Sequence, residues 1–375
     1  MVQPSAPEEG ARARMYHRRQ LAISLLGLAL SVVYLLVLIE TRAAAHLTEW
    51  LSRWTAAWWL ELGIVLLVLA GGYRLVTLPL QWLGGYWLPR RFGLLHQPFG
   101  RWLLDAVKAA VIGAALGLLA VLIIYALLRV TPYWWLWGAA AFLAGYTLLA
   151  LVAPIWLVPL FYRLTPLPDG DLRTRLLALA GRVGVPVSGV FVVDQSRKSR
   201  TANAAVTGLG RTRRILLFDT LLAEFTPEEV EAVLAHELAH QLHRDIPRGI
   251  LVQGTLTLAT FWIADRALHW GSGWLGLDGP ADIAGLPLLG LILVLVSLAA
   301  LPVANGWSRR VEWQADRFAL QTIPDPRAFI RSMERLATLN LAEREPHRLE
   351  ELFLYSHPAI ERRIAHARQF LHGLT

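Results

Sequence analysis

Long apolar runs alternate with short polar stretches along most of the chain. Six of these runs have the length and composition of membrane spans: Leu21–Ile39, Ala56–Leu83, Ala106–Leu128, Tyr133–Tyr162, Gly249–Ala264 and Ala284–Val303. A helical span needs about 20 residues, so we expect the helix at the short run Gly249–Ala264 to extend into the flanking residues. The pattern predicts a mainly α, polytopic helical membrane protein with about six spans.

Two polar stretches, residues 163–248 and 305–375, interrupt the apolar pattern. We therefore expect four parts, which are a membrane region over 1–162 with four spans, a polar part over 163–248, two further spans over 249–304 and a second polar part over 305–375. In the first polar part, Val190–Asp194 and Arg214–Asp219 have the β-branched, apolar composition of strands. Thr226-Pro227-Glu228-Glu229 predicts a helix start with a capping box.

Arginines that flank the apolar runs predict the orientation of the chain. They precede the first run, separate the second from the third and follow the sixth: Arg12, Arg14, Arg18, Arg19, Arg90, Arg91, Arg101, Arg309 and Arg310. The loops between these clusters are poor in Arg and Lys, and cytoplasmic loops are the ones that carry the excess. Six spans with both termini inside fit this pattern, which places both polar parts in the cytoplasm.

Composition narrows the class of protein. Of the 375 residues, 55% are hydrophobic and 17% are charged, with a mean hydropathy of +0.44. Soluble domains carry about 25% charged residues, so part of this chain has the lipid bilayer as its solvent. The net charge is +8, but the cations lie at the ends of apolar runs, which favours membrane topology over binding of nucleic acid. Only Lys108 and Lys198 are lysines, an arginine bias that favours a bacterial source and its inner membrane.

The candidate chemistry starts from two histidines on the helix that follows Thr226. His236-Glu237-Leu238-Ala239-His240 is an HExxH motif, and a spacing of four puts both imidazoles on one helix face, where one Zn²⁺ can bind a nitrogen of each. Glu237 is then placed to deprotonate the attacking water and to protonate the leaving amine. The motif alone is as compatible with a solvated helix face. Because the chain has no cysteine, any metal must be held by His, Asp or Glu.

A second motif offers the ligand that HExxH lacks. A catalytic zinc site has three protein ligands and an open position. Glu312 and Asp316 form an ExxxD pair one helical turn apart, so we expect Glu312 to be the third ligand and Asp316 to orient a liganding histidine. His243 as a fourth ligand would fill the open position, so we do not assign it as a ligand. These residues predict one Zn²⁺ per chain in a zincin-like α+β catalytic part on the cytoplasmic side.

Several segments resemble, in order and spacing, the Ste24-type CAAX prenyl protease 1 group of the M48 peptidases. They are FYRLTPLP (161–168), SRKSRTANAAVTGLGRTRRILLFDTLL (196–222), HELAH (236–240), SRRVEWQADRFA (308–319) and YSHPAIERR (355–363). The resemblance runs from the second apolar run onward and implies a membrane-embedded zinc endopeptidase. The chain departs from the eukaryotic members, which are longer, have seven spans and carry a histidine where this chain has Asp245.

The resemblance implies further site residues and a substrate class. Asn203 and Ala204 match a pair on an edge strand that binds the substrate backbone, and an unpaired edge can hold an extended peptide. His357 and Arg363 match the groups expected to face the oxyanion of the tetrahedral intermediate. The partners are then the bilayer and a peptide or protein substrate. Prenylated C-termini are one possible substrate, and misfolded or surplus membrane proteins are the alternative in a bacterium.

Other functions fit the sequence less well. A zinc-stabilised membrane scaffold or chaperone would bind polypeptide without cutting it, but it would have no need for the base Glu237. Leu277-Asp278-Gly279 is similar to the LDG of intramembrane site-2 proteases, whose HExxH lies inside an apolar span, whereas the HExxH here has polar flanks. A transporter is suggested only by the number of spans, because no pair of broken helices is evident.

Overall fold

The N-terminal half of the chain folds into long helices, as the apolar runs predict. The computed structural model describes residues 6–208 and 210–373. The helices of this half are α1 (Ala6–Glu40), α2 (Ala43–Leu51), α3 (Trp58–Trp82), α4 (Leu88–Arg91), α5 (Phe99–Val130), α6 (Trp134–Val152) and α7 (Val158–Phe161). π-Helical turns at Leu83–Trp87 and Ala153–Leu157 join α3 to α4 and α6 to α7. The second turn contains Pro154, which has no N–H to continue the α-helical ladder.

A four-stranded sheet follows these helices. Its strands are β1 (Leu164–Pro166), β2 (Gly189–Val193), β3 (Ala204–Thr207) and β4 (Arg214–Phe218), in the order β1-β2-β4-β3. β2 and β4 are parallel, and the two outer pairs are antiparallel. The two predicted strands correspond to β2 and β4, with ends that agree within one residue. β3 pairs with β4 alone, so its other side is an open edge of the sheet.

The remaining helices surround the sheet or return to the membrane part. They are α8 (Asp171–Arg182), α9 (Asp219–Glu224), α10 (Pro227–Leu242), α11 (Asp245–Leu275), α12 (Leu286–Thr322), α13 (Pro326–Leu339), α14 (Arg348–Leu354) and α15 (Ile360–His372). α10 starts as predicted, because the Thr226 hydroxyl accepts from the Glu229 N–H while the Glu229 carboxylate accepts from the Thr226 N–H. This reciprocal pair satisfies two N–H groups that would otherwise lack partners at the helix start.

Five helical stretches of the described residues are long and apolar enough to cross a membrane. They are Glu9–Glu40, Trp58–Arg91, Phe99–Val130, Trp134–Phe161 and Ile283–Thr322. Each contains or overlaps one of the predicted runs. The sixth run, Gly249–Ala264, is also helical and lies within α11, but α11 is not among the five. By length and composition the count is therefore five, one fewer than the apolar pattern predicts.

α10 is buried on nearly every side, which a solvated amphipathic helix would not be. Val230, Leu234 and Leu238 are at most 1% exposed and belong to a core that also includes residues of β2, β3, β4, α8, α12, α13 and α15. Each fully buried side chain of this size contributes about 1.5–3 kcal/mol relative to exposure. The surrounding elements thus fix the position of the helix that carries the HExxH motif.

α11 and α12 form a long hairpin that connects the membrane part to the catalytic part. The two helices pack so closely that a Cβ on Gly271 would lie 2.8 Å from the Leu288 side chain. Asp278 lies in the turn at the far end of this hairpin. The predicted borders at 248/249 and 304/305 fall inside α11 and α12, so the chain passes between the parts without a break in either helix. The division into four parts stays a prediction.

Candidate metal centre and active site

α10 and α12 bring two imidazoles and one carboxylate to a common point. The Nε2 atoms of His236 and His240 lie 3.3 Å apart, with the two rings nearly perpendicular at 88°. From α12, Oε2 of Glu312 lies 3.2 Å from Nε2 of His236, and Oε1 lies 3.6 Å from Nε2 of His240. The three residues that the sequence singles out as ligands therefore face one another, although 71 residues lie between His240 and Glu312 in the sequence.

The donor atoms of this triangle fit a single metal ion. A tetrahedral ion with ligand bonds of about 2.0–2.1 Å has donor–donor distances of about 3.3–3.4 Å, close to the spacings found here. One donor atom from each of the three residues lies within 4.8 Å of the others. Oε2 of Glu312 is buried and has no hydrogen-bond donor among the described residues. A buried carboxylate oxygen without a donor is costly, and a cation at this point would satisfy it.

Asp316 holds the first histidine in the orientation that a ligand needs. Nδ1 of His236 lies 2.9 Å from Oδ1 of Asp316, which is 1% exposed. An ionised carboxylate can only accept a hydrogen bond, so Asp316 engages a proton on Nδ1, which would leave Nε2 to coordinate a metal ion at the centre of the triangle. The structure thus brings Asp316 to the contact that the ExxxD spacing predicts for it.

The second histidine has a carboxylate partner that the sequence analysis missed. Nδ1 of His240 lies 3.0 Å from Oδ2 of Asp245, the first residue of α11. Arg244 adopts the left-handed conformation, with φ 56° and ψ 44°, and this sharp turn folds the start of α11 back onto the last turn of α10. A spacing of five residues matches no helical contact, so the sequence offered only an acid beside a histidine and no geometry.

Arg363 lies behind His236 and is engaged with Asp316. Its Nε donates to Oδ2 of Asp316 at 2.8 Å, and its Nη2 donates to Oδ1 at 2.5 Å. Nη2 is also 3.9 Å from Oε2 of Glu312. Such a bidentate pair is short and directional, so Arg363 fixes the carboxylate that orients His236. Its predicted contact with an oxyanion stays a prediction.

His357 lies at the mouth of the site. Its Nε2 is 3.3 Å from Oε1 of Glu312, and its Nδ1 is 2.9 Å from the Ser356 hydroxyl. The side chain is 57% exposed, unlike the buried side chains of His236 and Arg363. A histidine that touches a candidate ligand and also faces solvent can reach a bound substrate. The fold therefore brings His357 to the metal centre, as the family resemblance implies.

Glu237 is half-buried on α10, between the two histidines. Burial raises the pKa of its carboxyl above the usual value, and the neighbouring His236 and His240 offset only part of this effect. A carboxyl whose pKa moves towards neutral pH is a better general base and acid than an ordinary glutamate. The direction of this shift is the one that favours proton transfer near neutral pH.

The open edge of β3 lies beside the metal centre. The Phe218 N–H donates to the Asn203 carbonyl at 3.1 Å, so in this antiparallel pair the alternate residues Ala204 and Val206 direct their main-chain groups to the open side. Gln241, which follows His240, donates from Nε2 to the Val206 carbonyl at 3.0 Å. The exposed Asn203 side chain accepts from the Ala204 N–H at 2.9 Å. The contact with Gln241 thus joins the open side of β3 to the helix that carries the HExxH motif.

A polytopic helical body, a buried histidine–histidine–carboxylate triangle and an open strand beside it define the class of membrane metallopeptidases. Residues 166–371 match the family described as peptidase family M48, so the chain belongs to peptidase family M48. Residues 4–163 match the family described as CAAX prenyl protease N-terminal, five membrane helices. The described part of that region holds four of the five membrane-capable stretches.

Individual relatives agree with this assignment. The chain is 29% identical over 368 residues to the uncharacterized metalloprotease YhfN of Bacillus subtilis, covering 97% of this chain and 86% of the relative. It is 29% identical over 310 residues to CAAX prenyl protease 1 of Saccharomyces cerevisiae, covering 77% of this chain and 68% of the relative. The crystal structure of S. mikatae Ste24p is similar with a TM-score of 0.82 and 25% identity, over 97% of this chain and 90% of that one.

Proposed function

We propose that this membrane metallopeptidase is a zinc endopeptidase in which His236, His240 and Glu312 hold the ion. The observation that carries the proposal is the triangle of donors at 3.2, 3.3 and 3.6 Å around a buried carboxylate oxygen without a donor. A set of two imidazoles and one carboxylate with no thiolate suits Zn²⁺. When bound, the zinc supplies a Lewis acid that activates water and polarises the scissile carbonyl.

The protein's own residues then carry out the remaining steps. Glu237 takes a proton from the attacking water and delivers it to the leaving amine, which its raised pKa favours. The edge at Asn203 and Ala204 holds the peptide backbone in extended form. His357 and Arg363 stabilise the negative charge that develops on the carbonyl oxygen. His357 is the better placed of the two, because the Arg363 guanidinium also binds Asp316.

We further propose that the substrates are proteins at or in the membrane. The relatives named CAAX prenyl protease 1 favour prenylated C-termini. The similarity to a Bacillus subtilis metalloprotease and the arginine bias favour a bacterium, in which misfolded or surplus membrane proteins are the expected substrates. In either case the bilayer is the second partner, and the reaction is hydrolysis of an internal peptide bond.

The topology that we propose has six crossings and a cytoplasmic catalytic part in the inner membrane. The 3.2 Å contact between His236 and Glu312 supports a topology with residues 163–248 and 305–375 on the same side. α12 runs from the far turn of the hairpin to Glu312, so α11 must cover the same distance in the opposite direction. With 31 residues it is about 46 Å long, enough to cross a bilayer. The arginine clusters favour the cytoplasm as the catalytic side.

One experiment tests the enzyme against the non-cleaving alternative. The full chain is purified in detergent, its metal content is measured, and an unstructured peptide is offered with and without a farnesylated C-terminal cysteine. We expect one zinc per chain and cleavage that Glu237→Ala abolishes without loss of zinc. Cleavage of both peptides at equal rates favours quality control, and cleavage of the farnesylated one alone favours prenyl processing. Stoichiometric zinc without any cleavage would support a scaffold.

A further inference from the structure

A basic pocket lies where the membrane helices meet the sheet, apart from the metal centre. Its cavity volume is about 320 Å³. The charged side chains that line it come from the start of α5, from the residue before β1 and from the segment after β2: Arg101, Asp105, Lys108, Arg163, Arg197 and Lys198. Five cations therefore face one carboxylate within the lining. Neither the metal chemistry nor the peptide-binding edge uses any of these residues.

Two of the five cations are paired, and the pairs give the pocket a fixed shape. Nζ of the buried Lys198 lies 2.7 Å from Oδ2 of Asp105 and 4.2 Å from the centre of the Tyr162 ring. Nε of Arg197 lies 3.1 Å from Oδ2 of Asp194. These contacts hold the inner wall of the pocket in place. They also occupy the carboxylates that could have neutralised the remaining cations.

The other cations leave the pocket with unbalanced positive charge. Arg101 and Arg163 are both exposed, and among the described residues neither guanidinium has a carboxylate partner within ion-pair distance. Nζ of Lys108 lies 3.8 Å from Oδ1 of Asp105 and donates to the Leu160 carbonyl at 3.4 Å. An arginine guanidinium presents a planar fork of donors that matches phosphate oxygens. The pocket thus offers at least two free phosphate-binding groups next to a fixed ammonium.

Apolar surface continues from the pocket along the membrane-spanning part of α5. Arg101, Leu104 and Lys108 share one face of the helix at helical spacing. Leu104, Val107 and Val111 are 62%, 51% and 63% exposed, and all belong to the stretch that can cross the membrane. Cations at the end of such a stretch lie at headgroup level, while the apolar side chains beside them face acyl chains.

We propose that this pocket binds the headgroup phosphate of an anionic phospholipid, with Arg101 and Arg163 as its principal ligands. Basic pockets between membrane helices bind anionic lipid headgroups. The apolar stripe of α5 decides between a lipid and a soluble phosphate, because it provides a path for acyl chains that a free anion cannot use. The inference is independent of the proposed zinc chemistry and of the substrate.

The test measures lipid binding to the full chain. Detergent-purified protein is titrated with phosphatidylglycerol or with phosphatidylcholine, and bound lipids are counted by native mass spectrometry. We expect preferential retention of phosphatidylglycerol. Near an anionic lipid surface each cation is worth roughly a fivefold change in affinity, so the double variant Arg101→Gln, Arg163→Gln should bind it roughly 30-fold more weakly. The control Arg182→Gln, Arg327→Gln removes the same charge from exposed positions outside the membrane-capable stretches and should bind like the wild type.

Several outcomes would overturn the proposal. These are equal binding by the pocket variant and the wild type, equal losses in the pocket and control variants, and complete displacement of the lipid by soluble glycerol phosphate. In pure phosphatidylcholine vesicles, the pocket variant could also have a higher KM for peptide than the wild type while it retains as much lipid. That result would assign the pocket to the substrate instead. Melting curves identify a variant that fails to fold, and in that case Lys108→Gln alone, with an expected loss of roughly fivefold, replaces the double variant.

Discussion

At the metal centre, His236 and His240 differ in the carboxylate that holds their second ring nitrogen. Asp316 is 1% exposed and is itself fixed by Arg363, so His236 is oriented by a rigid, fully buried pair. Asp245 lies at the start of α11, and one of its carboxylate oxygens has no hydrogen-bond partner among the described residues. Both candidate ligands thus contact a carboxylate through Nδ1, but the two carboxylates belong to different parts of the fold.

The ligand assignment predicts how single substitutions change metal content. His236→Ala, His240→Ala or Glu312→Ala should each lower bound zinc well below one per chain and abolish cleavage, because each removes one of three donors. His243→Ala is the matched control on the same helix. Its ring packs against Phe318 rather than the triangle, so zinc should stay bound. Metal analysis of each purified variant measures this. Stoichiometric zinc and full activity in His240→Ala would show that the ligand assignment is wrong.

The base assignment predicts a separation of binding from turnover. Glu237→Gln keeps the size of the side chain and removes the carboxylate, so zinc should stay bound while kcat falls by about 10²–10⁴-fold. Glu334→Gln, a partly exposed glutamate of α13, should leave kcat unchanged. Zinc content and initial rates are measured on the same preparations. A Glu237→Gln rate within a few-fold of the wild type would indicate that the zinc is not catalytic.

His357 is predicted to act on the transition state. If it stabilises the developing oxyanion, His357→Ala should lower kcat by about 10²–10³-fold with little change in KM, because the contact strengthens as charge develops. Ser356→Ala removes its hydrogen-bond partner but leaves the ring and should have a much smaller effect. A melting curve on the same sample provides the second measurement. A lowered Tm with normal turnover per folded molecule would make His357 structural only.

Among the elements, the turn between α10 and α11 has the most direct effect on the site. Arg244 takes a left-handed conformation, which costs an ordinary residue about 1–2 kcal/mol. The turn places Asp245 against His240 and at the same time starts the helix that returns to the membrane part. The cost of this conformation is thus offset by a contact that orients a candidate ligand.

This turn predicts an effect on metal affinity from a residue that is not a ligand. Asp245→Ala should weaken zinc binding by about 10–100-fold, the usual effect of losing such a partner, while the saturated enzyme still cleaves peptide. Asp245→Asn, which keeps an acceptor oxygen, should lose less. Competition with a zinc chelator measures the affinity. Unchanged affinity in both variants would assign Asp245 a purely structural role at the start of α11.

The edge strand β3 shows how an element acquires function from its place in the sheet. Its four residues pair with β4 on one side only, and exposed edges are normally blocked or covered because they invite pairing with other chains. Here Gln241 of α10 donates to the Val206 carbonyl, and the Ala204 N–H donates to the Asn203 side chain, so side chains engage two main-chain groups of the edge. An added peptide strand would have to displace or use these side-chain contacts.

At the scale of the whole molecule, the hairpin of α11 and α12 separates the two polar parts, residues 163–248 and 305–375, in the sequence. The two parts nevertheless meet in space, where His236 contacts Glu312. α12 carries the membrane face at one end and Glu312 and Asp316 at the other. α11 is not among the five membrane-capable stretches, and its buried residues include the polar Thr257 and Asp265. Asp265 accepts a hydrogen bond from the Trp134 indole N–H at 2.7 Å. These buried contacts fit the proposed crossing of α11, because polar groups inside a membrane helix commonly face protein.

The proposed topology predicts the side on which each loop lies. Compartment-sensitive reporters fused near residues 45, 95, 131, 200 and 275 should be outside, inside, outside, inside and outside. Since the chain has no cysteine, single cysteines at Arg53, Arg182 and Asp278 provide an independent check with an impermeant maleimide, which should label the first and third only. A reporter near 200 on the outside would contradict the cytoplasmic assignment, and one near 275 on the inside would remove α11 as a crossing.

The sequence by itself determined the elements whose signals are local. Apolar runs predict membrane helices because a span must be apolar over its own length, and capping residues predict the start of α10 because the cap satisfies N–H groups within one turn. HExxH and ExxxD each place two side chains on one helix face, so three candidate ligands, His236, His240 and Glu312, could be proposed before any fold was known. The family resemblance added Asn203, His357 and Arg363.

Only the tertiary structure decided what depends on distant parts of the chain meeting. The contact of Asp245 with His240 requires the left-handed conformation of Arg244. The hydrogen bonds from Arg363 to Asp316 require α15 to pack against α12. The open edge of β3 exists because of the order of strands in the sheet. The apolar run Gly249–Ala264 predicts a helix within α11, but the close packing of α11 against α12 at Gly271 and Leu288 is visible only in the fold. Each of these features is a contact between elements, and a one-dimensional pattern records only the composition of each element.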